Sequence, residues 1–173
     1  MKLIKNLIKG SYLININKKI DNRGFFLRAY CSDILKKKKL KKISQINFSY
    51  SKKKGTIRGL HYQKKPFEET KIIYCLKGKI YDVVVDLRKK SKTYGKYYGV
   101  ILSEKKRNGI VIPSGCAHGF QTLTNNVEIV YFSTQKYSSV HESGILYNDK
   151  IINIKWPLRP TIISKKDKSW KSL

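Results

Sequence analysis

Histidine is scarce in this chain, three residues of 173, and acid is scarce too: 11 Asp and Glu stand against 38 Lys and Arg. Cysteine also numbers three, proline four and methionine one. Each shortage excludes something. An odd set of cysteines (Cys31, Cys75, Cys116), with no C-x-x-C spacing, excludes a disulfide framework and a cysteine-ligated zinc site. They read as reduced, buried thiols, which favours the cytosol. No stretch approaches the roughly 20 apolar residues of a membrane span. The N-terminus, Met1-Lys2-Leu3-Ile4-Lys5-Asn6-Leu7-Ile8-Lys9, is broken by lysine too often to form a signal-peptide core. A cytoplasmic protein with no membrane partner is expected, built as one domain over residues 1–173.

The missing acid leaves a formal net charge of +27, and a charge of that size attracts polyanions. Its distribution argues against such a role. Lysine supplies 32 of the basic residues and arginine only six, with Ile, Asn and Tyr also abundant, a bias that A/T-rich codons explain. The lysines scatter over the whole chain, and the densest runs, Lys36 to Lys39 and Lys52 to Lys54, fall in expected connections. No zinc finger, RNP-like aromatic motif or G-x-x-G clamp is present. A solvated lysine coat is expected, with no nucleic-acid partner.

What is abundant is β-forming sequence, rich in Tyr, Ile and Val. Ser11 to Ile16 alternates as a short strand and leads into Asp21-Asn22-Arg23-Gly24, a turn by composition. Ser32-Asp33-Ile34-Leu35 suits a short helix with Ser32 as N-cap. Strand-like runs then cover 43–50, 56–62, 70–76, 79–86, 97–102, 109–112, 118–123 and 127–134. Glycine and asparagine separate them at short intervals, which predicts an all-β antiparallel sandwich or barrel. The tail from Asn148 is expected to be irregular up to a polar segment from Ser164 to Trp170.

Two of the three histidines lie within this β-region, in Arg58-Gly59-Leu60-His61-Tyr62-Gln63 and Pro113-Ser114-Gly115-Cys116-Ala117-His118-Gly119-Phe120, and are expected at strand ends. Gly109 to His118 resembles the second signature of the cupin jelly roll, in which a proline-glycine turn tips a histidine into the barrel mouth. Metal-binding cupins add a His-x-His, whereas here Tyr62 and Gln63 follow His61. Two imidazoles without a ligand triad make a poor zinc or iron site, so no metal is expected. Imidazole exchanges its proton near neutrality, which suits His61 to general-base work. Lys71 can stabilise an oxyanion, and the Tyr131 phenol can donate a proton from the far side of a bound ring. Base and acid on opposite sides of a carbon, beside a cation, suit inversion α to a carbonyl. Arginine is rare enough that Arg23 and Arg58, beside turn glycines, stand out as candidate phosphate contacts.

The ordered set Asp21 to Phe26, Gln45 to Ser49, Arg58 to Gln63, Asp82 to Arg88, Ile112 to Phe120, Tyr147 to Asp149 and Ile154 to Pro157 resembles the dTDP-4-dehydrorhamnose 3,5-epimerase family. The likeness runs from about Ser11 to Asp167. It implies an all-β, cupin-like antiparallel jelly-roll barrel with a few short helices and no cofactor. It also implies a homodimer that exchanges N-terminal strands, acting on a nucleotide-diphosphate sugar. Carried over by position, His61 is the base, Asp167 the carboxylate that orients it, Tyr131 the acid and Lys71 the cation near the keto oxygen. Arg23, Gln45, Asn47, Arg58, His118, Glu142 and Lys166 fall on substrate contacts, and Tyr137 where an aromatic stacks on thymine. Arg28 stands at a nucleotide-contacting position usually held by glutamate, and Glu69 replaces a common glutamine just before Lys71. The same residues leave open an epimerase that inverts one centre or takes another nucleotide-linked 4-keto sugar. A non-catalytic, basic cupin binding module is the alternative from another class.

Overall fold

Alternating apolar runs punctuated by glycine produce two stacked antiparallel sheets. The computed structural model describes residues 1–36 and 42–173, so positions 37–39 of the first lysine run lie outside the described residues. In chain order the elements are β1 (Lys2–Lys5), β2 (Tyr12–Asn15), β3 (Lys19–Asp21), β4 (Gly24–Phe26), α1 (Ser32–Lys36), β5 (Gln45–Ser51), β6 (Ile57–Gln63) and β7 (Lys71–Lys77). They continue with β8 (Lys79–Asp86), β9 (Tyr97–Ser103), β10 (Gly109–Ile112), β11 (Cys116–Thr122), β12 (Val127–Ser133), β13 (Glu142–Gly144) and α2 (Lys165–Lys168). One sheet has the order β1-β2-β10-β7-β12-β5, the other β13-β6-β11-β8-β9, and β3 pairs with β4 in a separate hairpin. The fold is all-β and cupin-like, a jelly roll of antiparallel strands with short helices.

Period-two alternation sorts side chains into layers. Ile73 and Cys75 on β7, and Ile129 on β12, meet Ile80 and Val84 on β8 and Phe120 on β11 to form the core between the sheets. The opposite face of the five-stranded sheet, with Val83, Val85 and Ala117, is covered by Ile145, Ile152 and Ile154 of the C-terminal segment. The outer face of the six-stranded sheet, with Ile72, Tyr74 and Val130, packs against Met1, Leu3 and Ala29. Strands covered on both faces read as continuous apolar runs, and β11 is buried at every position.

The expected runs from 43 onward each correspond to a strand, with ends displaced by no more than two residues. Four short strands were not anticipated. β1 lies in a segment broken by lysine, β3 and β4 are exposed throughout, and β13 has three residues. Cys75 and Cys116 are buried as expected, but Cys31 is only partly so.

Candidate active site

His61 is the fifth residue of β6 and His118 the third of β11, directly opposite each other in register. Both therefore lie inside strands, not at strand ends. Just beyond them the β6–β11 register shifts, and two glycines let the backbones close in. Gly59 has φ +128°, and a Cβ there would sit 2.5 Å from the Gly119 Cα and 2.8 Å from the His118 carbonyl oxygen. No other residue type fits this crossing.

The C-terminal segment then reaches back to β6. Ser164 caps α2 and accepts a hydrogen bond from the Asp167 backbone N–H at 3.0 Å. Asp167 is buried, with Oδ1 2.7 Å from His61 Nε2 and Oδ2 accepting from the Gly59 N–H at 3.1 Å. Burial opposes its charge, but the bond and charge of His61, the Gly59 amide and Ser164 outweigh that and hold the carboxyl below its ordinary value. Asp167 is thus an anion aimed at the outer nitrogen of His61. The Trp170 ring meets His61 edge-on at 6.2 Å.

The other sheet supplies the facing groups. Lys71 shares the inward side of β7 with Ile73 and Cys75, and Tyr131 shares the inward side of β12 with Ile129. His61, Asp167, His118, Lys71, Tyr131 and Arg58 line one cavity of about 430 Å³. Burial, then the charges of Glu69 and Glu142, push the Tyr131 phenol up, against Arg58. The phenol therefore carries its proton at neutral pH, as a donor must. Apolar walls from Ile57, Phe120, Ile129 and Ile162 surround the polar groups.

A second cavity, also about 430 Å³, shares His61, Lys71, Tyr131 and Lys166 with the first. It reaches outward to Gln45, Asn47, Tyr137 and Glu142. Glu142 joins these groups: it accepts from the Tyr137 hydroxyl at 2.7 Å and pairs with Lys166 at 2.6 Å. Burial raises the Glu142 carboxyl, yet Lys166 and Tyr137 bring it below its ordinary value, while the Tyr137 phenol is raised by its bond to Glu142. Gln45 accepts from the Tyr137 backbone N–H at 3.0 Å, tying β5 to the same loop.

Of the residues expected at the site, Arg23 and Arg28 stand apart. Arg23 lies beyond both cavities on the β3–β4 hairpin, paired to Asp21 at 2.7 Å with its side chain 86% exposed. Arg28 lines a smaller hollow with Met1, Ile16 and Ile34. The sequence reading missed Asp82, a fully buried carboxylate whose Oδ2 lies 2.9 Å from His118 Nε2 and whose Oδ1 has no hydrogen-bond partner among the described residues. Its signal was a charged residue in the apolar strand Lys79–Asp86. It also assigned no contact to Glu69, which pairs with Lys71 at 2.9 Å. Among the described residues, no three His, Cys, Asp or Glu side chains gather as a metal site.

Residues 5–173 match the family model described as dTDP-4-dehydrorhamnose 3,5-epimerase. A dTDP-4-dehydrorhamnose 3,5-epimerase of Shigella flexneri is 41% identical over 148 residues, covering 85% of this chain and 82% of the relative. The crystal structure of that enzyme from Bacillus anthracis, with TDP and PPi bound, superposes with a TM-score of 0.95 at 40% identity, covering 99% of each chain. The dTDP-6-deoxy-D-glucose-3,5-epimerase of Legionella pneumophila, in complex with dTDP-4-keto-L-rhamnose, gives 0.94 at 34% identity, covering 99% of this chain and 92% of that one.

Proposed function

We infer the chemistry from one premise: the chain belongs to the dTDP-4-dehydrorhamnose 3,5-epimerase family. The proposed reaction inverts C3 and C5 of dTDP-4-dehydro-6-deoxy-D-glucose to give dTDP-4-dehydro-L-rhamnose. Both carbons flank the C4 ketone, so each C–H ionises to an enolate conjugated with that carbonyl. His61 removes the proton. Asp167, held 2.7 Å from Nε2, fixes the ring tautomer and stabilises the imidazolium that forms. The Lys71 ammonium takes up charge developing on the C4 oxygen. Tyr131 returns a proton from the far side of the ring, and the configuration inverts. A proton leaves and a proton returns, so the reaction as written calls for no cofactor.

The observation that carries this reading is the division of labour between the sheets. The His61–Asp167 pair comes from β6 and α2, while Tyr131 and Lys71 come from β12 and β7, and all four line one cavity. Arg58, Lys166 and His118 are the proposed contacts to the diphosphate and sugar. Gln45, Asn47, Tyr137 and Glu142 are those of the outer cavity, where the nucleotide base stacks on Tyr137.

The proposed assembly is a homodimer of single-domain, cytoplasmic chains. Its support is an uncovered apolar surface: Ile46, Phe48 and Tyr50 along the outer side of β5, and Ile20, Phe25 and Phe26 on the β3–β4 hairpin, are all exposed. In such a dimer Arg23 and Arg28 serve the partner's cavity, which accounts for their distance from the one in their own chain. Incubation with dTDP-4-dehydro-6-deoxy-D-glucose in D2O, followed by NMR, tests the reaction. Deuterium at C3 and C5 with an L-configured product is expected. Deuterium at one carbon would make the enzyme a mono-epimerase, and none at either would reject the reading.

A further inference from the structure

The Lys71 ammonium is not free in the cavity wall. Its Nζ lies 2.9 Å from Glu69 Oε1, with the two side chains only 13% and 10% exposed. The Glu69 carboxylate is itself held from both sheets. Its Oε2 accepts from the Ser133 hydroxyl of β12 at 2.9 Å and from the Gln63 amide of β6 at 3.3 Å. Lys71 lines both cavities, whereas Glu69 lines only the outer one, so the carboxylate draws the ammonium from the outer side toward their junction.

A lysine side chain has a flexible four-carbon stem and three rotatable donors. Left to itself, this ammonium would range over many rotamers and hold no fixed place beside a bound ketone.

We propose that Glu69 is a positioning residue that anchors the Lys71 ammonium at the junction of the two cavities. One N–H goes to Glu69, and two stay available for an oxyanion. Ser133 and Gln63 belong to the same device, since they stop the carboxylate from following the lysine. What position 69 must supply is an acceptor oxygen at the end of a side chain of this length. Glutamine keeps that oxygen and alanine removes it. This inference rests on the proposed epimerase reaction, in which Lys71 stabilises the enolate.

The test measures deuterium incorporation and steady-state kinetics with dTDP-4-dehydro-6-deoxy-D-glucose for the parent, Glu69→Ala and Glu69→Gln, together with NMR of ¹⁵N-labelled lysine ammonium groups. The Lys71 signal is assigned by its loss in Lys71→Arg. Displacing a catalytic group by an ångström or so costs about 10²-fold, so Glu69→Ala should lower kcat by about that factor. Its KM should stay within about threefold, and Glu69→Gln should recover most of the lost kcat. In the NMR arm, the Lys71 ammonium resonance should persist in the parent and in Glu69→Gln and disappear in Glu69→Ala. An alanine variant with parental kcat and an unchanged resonance would overturn the proposal. So would equal impairment of both variants, which would point to the charge or to folding instead of the acceptor. A parent protein that exchanges no proton would sink the epimerase reading alone, because the resonance reports the anchor independently.

Discussion

Replacing Asp167 by asparagine removes one charge from the site with almost no change in volume. In the native protein Oδ1 sits 2.7 Å from His61 Nε2 and Oδ2 takes the Gly59 N–H, with the carboxyl held below its ordinary value. A hydrogen bond to a charged group contributes about 1.5–3 kcal/mol, so losing it as the imidazolium forms should slow proton abstraction roughly 10- to 150-fold. The Gly59 N–H claims the asparagine oxygen, which turns the amide N–H₂ toward His61 Nε2 and favours the other ring tautomer. Where the wrong imidazole tautomer results, losses in related dyads reach about 10⁴-fold. The expected outcome is therefore a fall in kcat between about 10- and 10⁴-fold, with KM little changed. Deuterium exchange at C3 and C5, followed by NMR, reads abstraction directly. Stability should respond as well. The folded-state value of Asp167 lies below its unfolded one, so its contribution is present above the unfolded range near about pH 4 and is lost as the pH falls through the folded value. The Asn variant should thus be less stable than the parent at neutral pH, with the gap closing in acid. Exchange at the parental rate by Asp167→Asn would show that the carboxylate does not assist His61.

Three further outcomes are expected. Tyr131→Phe should still admit deuterium through His61 but fail to complete inversion at C5; an L-configured product at the parental rate would reject the acid role. Burial pushes the Cys75 and Cys116 thiols up to about 12, whereas Cys31 is only partly buried. At about pH 8 a thiol reagent should label Cys31 and spare the other two until the protein unfolds, because only the thiolate reacts; quick labelling of Cys116 in the folded state would contradict this. Exhaustive chelation should leave the rate unchanged, and a loss restored by one divalent ion would show the metal-free mechanism to be wrong.

The sequence read well wherever burial imposes a pattern. β8 (Lys79–Asp86) and β10 (Gly109–Ile112) have the expected bounds, because apolar residues fill them and Gly78 and Asn108 precede them. It read poorly where strands are short and exposed, as in β3 and β4, whose residues face solvent and carry no alternation. The site shows the same division. His61 and His118 stood out because histidine is rare and glycines flank both. Asp167 lies 106 residues from His61 and has no local signal, so only the family resemblance pointed to it. Asp82 was overlooked because it sits in an apolar strand, although a buried carboxylate demands a partner. Glu69 stood out only as a replacement for a common glutamine, and its contacts with Lys71, Ser133 and Gln63 are made by the fold.

In the proposed reaction one imidazole from the five-stranded sheet abstracts protons from a sugar held against the other sheet. The most direct measurement is solvent deuterium entering dTDP-4-dehydro-6-deoxy-D-glucose in the presence of His61→Ala, with the parent alongside and the fold checked by circular dichroism. Removing a general base costs about 10²–10⁴-fold, so the variant should leave both C3 and C5 essentially undeuterated while the parent labels both. Near-parental labelling by a folded His61→Ala would mean that another group removes the protons.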